Sequence, residues 1–524
     1  MCEVPQGRVQ SSSGINRLPP ELLSHIFLLG EESERITRPR VDWYHTVQDI
    51  ATQVCGYWRH VAIGSPELWT HFHITRPPPH RLAILYLARA GPTTLLDVTI
   101  ELRSRYLKTL GISVVDWSQQ VTRIGMVLEF LAIHNAGPHR WKSLSVATKQ
   151  PEPLLEVISS LNVGSVLPLQ NLSLAWKTPY PLPSEEDRCV SYSHLFDDSP
   201  GHLFELSRPT TPHLRRVDFT LVPWVFILDR PSPLFTGLTH LSLIAAIRLC
   251  GLPKLRNLLA ANSQLESLEL SSGDAEDQEL GDEPPPVQLS SLRSLSMMNS
   301  SCEAWMLAIV KMIEAPGLQN LTLATGGYES RTYSNVLKYV STGKLPSQQT
   351  PINDTPSADK PIYPSLRELD VSRVIDFEDE IVDLLASLST ITRLTIDIGQ
   401  APCLGRAPWL LPKLIFLKLP SLVSEYLASI LRNRAEAGFP VKVVEVPVGW
   451  QDRIQLQDSL GLSDLVTVVE YDEDYLDPHD YDGDHESDEW EASGIADAEF
   501  ESEVEWMGGA EFDPYETDFS DDFW

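Results

Sequence analysis

LESLEL, residues 265–270, sets apolar side chains at Leu265, Leu268 and Leu270 and polar ones between them. Leu268 and Leu270 stand two apart, the spacing that sends alternate side chains of an extended chain to one face. The same pattern, apolar at i, i+3 and i+5, precedes it at Trp141-Leu144-Val146, Leu169-Leu172-Leu174, Leu214-Val217-Phe219 and Leu238-Leu241-Leu243. It follows at Leu292-Leu295-Met297, Leu318-Leu321-Leu323, Leu366-Leu369-Val371, Ile391-Leu394-Ile396, Leu414-Leu417-Leu419 and Val441-Val444-Val446. Eleven copies of one short motif mark a repeat. A chain of 524 residues is also too long for one ordinary core, which leaves several compact domains or a stacked array.

The period chooses between them. Successive motifs start 28, 45, 24, 27, 27, 26, 48, 25, 23 and 27 residues apart. That is the spacing of a leucine-rich-repeat array, with two doubled or inserted intervals. Each unit has room for one short strand and a returning crossover, the arrangement that parallel strands require. Helical crossovers are predicted at residues 125–134, 304–313, 381–388 and 424–438, with a capping repeat at 81–102. Eleven strands at about 4.8 Å each give a parallel sheet about 50 Å long. The Asn or Cys that regular arrays place after the motif is replaced by Lys177, Gly273, Ser300, Gly326 and Val374 among others, so the array should be irregular. Three stretches break the period, 177–212, 271–286 and 326–364, the last with a short helix at SNVLKYV.

Ahead of the repeats, LPPELLSHIFLLG (18–30) reads as an amphipathic helix, with prolines in its first turn and Gly30 as its stop. Leu22, Leu23, Ile26, Phe27 and Leu29 span roughly 160° of its surface, wider than one neighbour fills. After a charged insertion at 31–42, Val47, Ile50, Ala51, Val54, Cys55, Trp58, Val61 and Ala62 fall on one side of a second helix. A Pro-marked turn, Ser65-Pro66-Glu67-Leu68-Trp69, closes the hairpin.

LPPELLSHIFLL followed by VCGYWRHVAIGSPELW resembles the F-box of fungal, basidiomycete-type F-box proteins, whose pattern runs LPxELLxxIF, then VCrxWrxiAxxxPxLW. The resemblance covers residues 18–74, and Gly56-Tyr57 departs from the polar, often basic pair usual before the Trp. It implies a helical module that docks on the Skp-type adaptor of an SCF-type cullin-RING ubiquitin ligase, while the repeats select a protein substrate. Leu18, Pro19, Leu22, Ile26 and Phe27 would then face the adaptor, and Val54 and Trp58 would hold the hairpin or share the contact. The other reading of the same hairpin is a cap that seals a non-catalytic repeat scaffold.

The fold expected is therefore α/β: an N-terminal F-box-like hairpin or bundle at 16–76, an irregular leucine-rich-repeat solenoid with a parallel sheet at 77–469, and terminal segments 1–15 and 470–524 without structure. Of the net charge of -31, the last 55 residues hold 23 acidic side chains and no Lys or Arg, leaving -8 for the body. Such a chain repels phosphate backbones and anionic headgroups, so neither nucleic acid nor membrane is expected as a partner. Eleven aromatics interleave the tail's acids, which suits weak docking as well as solvation.

Cys2, Cys55, Cys189, Cys250, Cys302 and Cys403 share no metal or redox spacing, which fits free thiols. With no apolar leader and no stretch of about 20 apolar residues, the expected compartment is cytoplasm or nucleus. PHDYDGDHESDE (478–489) imitates a calcium loop but opens on Pro478 where the first ligand belongs. His45, His60, His71, His73 and His80 lack carboxylates or thiols at ligand spacing. No nucleophile motif, phosphate loop or metal signature appears, so neither catalysis nor a cofactor is expected. The polar strand positions open to a partner would include Arg216, Asp218, His240, Glu269, Glu368, Asp370, Arg393, Asp397 and Lys418.

Overall fold

The computed structural model describes residues 14–37, 46–75, 80–101, 117–148, 152–161, 166–176, 211–222, 235–244, 252–271, 285–300, 302–325, 333–344, 360–374, 378–397, 399–420, 424–447 and 466–471. The chain divides into two compact units, Met1–Glu473 and Asp474–Trp524. The second unit, with almost all of the expected acidic tail, lies outside the described residues, as do 1–13 and most of the three inserted stretches.

The first unit is α/β and is built on one long parallel sheet. Its strands are β1 (His71–Ile74), β2 (Leu96–Glu101), β3 (Trp141–Thr148), β4 (Asn171–Trp176), β5 (Arg216–Thr220), β6 (His240–Ile244) and β7 (Ser267–Ser271). After the short β8 (Val287–Gln288) come β9 (Ser294–Ser300), β10 (Ile313–Glu314), β11 (Asn320–Thr325), β12 (Glu368–Arg373) and β13 (Arg393–Thr395). The last are β14 (Phe416–Lys418), β15 (Val443–Pro447) and β16 (Thr467–Tyr471). Fourteen of them pair in chain order, while β8 and β10 form a separate parallel pair. At about 4.8 Å per strand the sheet extends about 60 Å.

All eleven motifs fall on strands of this sheet, and their i+3 positions are in register. Leu144 aligns with Leu172, Val217, Leu241, Leu268 and Leu295. The same row continues through Leu321, Leu369, Leu394, Leu417, Val444 and Val468. Every residue of the row is buried, and each such side chain is worth about 1.5 to 3 kcal/mol of transfer free energy.

A further apolar position precedes the motif. The N–H of Leu265, Leu292, Leu318, Leu366, Ile391 and Leu414 each donates to the carbonyl three residues earlier. Four of those earlier residues, Leu289, Tyr363, Leu388 and Leu411, are large and buried, so the tight turn into the strand is itself core. Two edge strands escaped the sequence reading. Trp69-x-x-Phe72-x-Ile74 satisfies the motif but sits in the stretch assigned to the hairpin, and β16 carries Glu470 at the third apolar position. The sheet therefore reaches Tyr471, two residues into the expected tail.

The described helices are α1 (Pro20–Thr37), α2 (Val47–Gln53), α3 (Gly56–Ile63), α4 (Arg81–Ala90), α5 (Trp117–Ile133) and α6 (Glu152–Leu161). They continue with α7 (Leu252–Ala260), α8 (Glu303–Met312), α9 (Ser334–Thr342), α10 (Glu378–Ser387) and α11 (Ser424–Glu436). α4 onward are the crossovers. In α7, Leu252, Leu255, Leu258 and Leu259 are buried, the spacing of one helical face against the sheet. α9, foreseen at SNVLKYV, stops at Gly343, whose φ of 71° lets its N–H close on Tyr339 O at 2.8 Å. Among the described residues no helix is long and apolar enough to cross a membrane.

Buried side chains, rather than a regular Asn or Cys ladder, tie the irregular connections. Asn262 accepts from Leu238 N (2.9 Å) and donates to Phe235 O (2.9 Å) and Leu258 O (2.7 Å). Arg140 donates to Thr94 O, Asn135 O and Gly91 O. Arg434, fully buried, donates to Leu404 O, Leu410 O and Leu411 O.

The N-terminal hairpin differs from expectation in two ways. α1 does not stop at Gly30 but runs on to Thr37. A Cβ on Gly30 would lie 3.4 Å from both methyl carbons of Val47, an ordinary contact that places Gly30 against α2, and an Arg35–Glu31 pair at 3.0 Å supports the next turn. The second expected helix is two helices. Cys55 is extended (φ -161°, ψ 168°) and caps α3, its Sγ accepting from Trp58 N at 3.4 Å. Gly56 is thus the first residue of α3, where it costs less than in a helix interior.

Candidate functional site

The described surface offers two features that could serve recognition: the outer side of the helical module and the polar face of the sheet. The module has its own small core. Leu23, Phe27, Ala51, Val61, Ala62, Leu68 and Trp69 are buried, and Phe27 packs on Trp58 with ring centroids 5.1 Å apart. Trp69 donates to Ala62 O at 2.8 Å and meets Tyr86 of α4 edge-on, while Arg89 of α4 lies 4.2 Å over its ring. Tyr57 Oη donates to Leu18 O at 2.6 Å, and Ser24 bonds Ser65 at 2.7 Å, which fixes the start of α1 on α3 and the turn after it.

This core uses only half of α1's wide apolar face. Leu22, Ile26 and Leu29 are 53%, 43% and 51% exposed. Spaced i, i+4 and i+7, they form one stripe within about 60° of the helix surface. α2 exposes Ile50 (48%), and Val54, the residue that caps its C-terminus, is 53% exposed. At about 100° per residue, Gly30 falls between the buried side of α1 and its stripe, and Val47 falls likewise on α2. Because Gly30 and Val47 meet across the seam between the helices, the two exposed sets border the same seam.

Of the residues expected to face a partner, Leu22 and Ile26 are exposed, Pro19 is exposed and Leu18 half-buried. Phe27 instead faces inward at 3% exposure, because it lies about 100° from Ile26 and on the side that α3 covers. Trp58 is half-buried against it. Val54, four residues beyond Ile50 and still helical, is exposed on the same outer side, so it lies with the residues open to a partner rather than in the hairpin's core. Leu29 and Ile50 join the surface although the resemblance did not nominate them; the width of α1's apolar face was the signal for Leu29.

On the sheet, most positions between buried motif residues are at least partly open, Ser242 and Thr395 being buried. Arg216, Asp218, His240, Glu269, Glu368, Asp370, Arg393, Asp397 and Lys418 all have exposure, as expected of that face. Several charges are satisfied within the face. Arg216 Nε donates to Asp218 at 2.7 Å, Ser242 Oγ to Glu269 at 2.8 Å and Arg393 Nη2 to Glu445 at 2.9 Å. Arg393 also lies 4.6 Å over the ring of Phe416, one strand away. The bond to Asp218 holds Arg216 above the usual guanidinium range.

Among the described residues, no three His, Cys, Asp or Glu side chains stand close enough to share a metal ion. Among the described residues, Cys55, Cys302 and Cys403 form no disulfide. Comparison with protein-family models gives no match for the chain, and no curated protein matches it.

Proposed function

We propose that the chain is the substrate-recognition subunit of an SCF-type cullin-RING ubiquitin ligase. In this reading the helical module is an F-box that docks a Skp-type adaptor, and the sheet with its crossovers is an irregular leucine-rich-repeat solenoid that binds a protein substrate. One observation carries it: Leu22, Ile26 and Leu29 of α1, beside Ile50 of α2 and its cap Val54, leave an apolar surface uncovered on a module whose own core is complete. A helix that only capped the sheet would need a single buried stripe.

A second reading, a scaffold whose module is a cap, draws on a different observation. β1 pairs directly with β2, and Trp69 packs on α4, so the module also closes the first edge of the sheet. A double substitution, L22D with I26D, separates the two. Exposed positions tolerate change within about 0.5 kcal/mol, so circular dichroism and melting should be unaltered. Interface anchors cost at least about 2 kcal/mol each, so capture of the purified adaptor should fall about a thousandfold. Retained binding would remove the F-box assignment of this face, and loss of the fold would favour the cap.

A further inference from the structure

Beyond the docking stripe, the second half of α1 carries a cluster of ionisable groups wedged between the helix and the first strands. Glu31, only 6% exposed, lies 3.0 Å from Arg35 Nε on its own helix and 3.6 Å from His71 Nδ1 on β1. Arg35 reaches across to Asp97 on β2, Nη1 to Oδ2 at 3.4 Å, and Asp97 in turn accepts from Ser143 of β3 at 2.7 Å. Glu34, on the same turn, accepts from Val47 N at 3.0 Å and so ties the helix to α2. Glu32 of α1 and His73 of β1 complete the charged groups that bear on the pair.

One guanidinium therefore serves two carboxylates. Its Nη1 meets Asp97 of the sheet, and its Nε meets Glu31, which is buried between α1 and His71 of β1. We propose that Glu31 is a proton-operated latch: protonated, it lies neutral in its buried place and the second half of α1 seats on β1 and β2; ionised, it sets a buried negative charge beside Asp97 and loosens that seat. The proton exchanges with solvent, and Gly30, just ahead of Glu31, marks where the loosened segment begins.

The electrostatics support this assignment. Burial pushes the Glu31 carboxyl up to about 7; Arg35 opposes the rise, and Asp97, Glu34 and Glu32 add to it. His71, pulled down to about 4 by burial and by Arg35, stays neutral near pH 7 and supplies no second cation. A group whose affinity for its proton is raised in the seated state favours that state at low pH and loses the advantage as pH rises through about 7. With a released carboxyl titrating at the ordinary 4.5, the opening equilibrium grows about tenfold between pH 6 and pH 8.

The latch does not depend on any partner, so it is tested on the full chain alone. Hydrogen–deuterium exchange of peptides covering 31–37 and 71–74 should show protection, corrected for intrinsic chemistry, falling about tenfold from pH 6 to pH 8. In E31Q it should be nearly flat; if that variant does not fold, E31M, uncharged and of similar volume, carries the same expectation. A flat wild-type profile overturns the proposal, as does a variant that responds as the wild type does. Should neither variant fold, the sign still decides, because a response driven by His71 would lose protection on acidification instead.

Discussion

Replacing Arg434 by methionine is expected to destabilise the chain by about 2 to 4 kcal/mol. The guanidinium is fully buried and donates three bonds, at 3.2 Å to Leu404 O and 2.9 Å to Leu410 O and Leu411 O. Bonds from a charged donor contribute about 1.5 to 3 kcal/mol each, which alone would suggest a larger loss. Against that stands the cost of burying a cation with no carboxylate beside it, several kcal/mol, which the variant recovers. Burial indeed pulls the Arg434 guanidinium below its usual range. What remains is the penalty of the Leu404 and Leu410 carbonyls without that donor, about 1 to 3 kcal/mol apiece and softened where water can enter, since Leu411 O keeps its bond from Leu414 N. Methionine preserves most of the aliphatic packing, so the loss reports on polar bonds rather than on a cavity. Urea titration gives the magnitude, and hydrogen exchange should place the loosening at 401–411 and α11. R434K, one ammonium for three acceptors, should fall between. A loss below about 0.5 kcal/mol in R434M would refute the idea that this arginine holds the connection before β14.

Leu268→Asp or Leu321→Asp should unfold the neighbouring strands, since each removes about 1.5 to 3 kcal/mol of burial and adds a charge to the core; an unchanged melt would contradict the register row. Asn262→Ala should cost about 2 kcal/mol by removing the amide's bonds to Leu238 N and Phe235 O, and a neutral outcome in urea titration would mean that water replaces the amide. His71, held neutral well below its usual range, contributes stability that is present above pH 6.5 and lost as pH falls through about 4. H71Q should therefore be less acid-sensitive across that window, and equal acid sensitivity in thermal melts would rule the residue out.

The repeat was readable because a parallel sheet buried on one face demands the same apolar positions in every strand. Leu268 had to look like Leu241 and Leu295, its neighbours in register. Edge strands escape that demand, having one neighbour instead of two, and so β16 could place Glu470 where other strands place a core residue. The hairpin was readable as amphipathic but not as three helices. A helical wheel treats Val54 and Cys55 as any other pair, whereas the break depends on backbone geometry and on a thiol capping Trp58 N, neither of which alters the apolar pattern. The extension of α1 past Gly30 was hidden for a related reason: polar residues followed the glycine, and their role is a polar contact with β1 and an ion pair with β2 rather than burial of apolar surface.

The register of the sheet takes no notice of connector length. Between β4 and β5 the motifs start 45 residues apart and between β13 and β14 only 23, yet Leu172 meets Val217 as squarely as Leu394 meets Leu417. Alignment is set locally, by the buried turn and the apolar pair of each unit, so a change in one connector does not propagate into the next. The strands act as fixed shelves and the connectors as independent drawers. Such a chain can gain or shed surface material between any two strands without renegotiating its core, which leaves its surface open to change at little risk to folding.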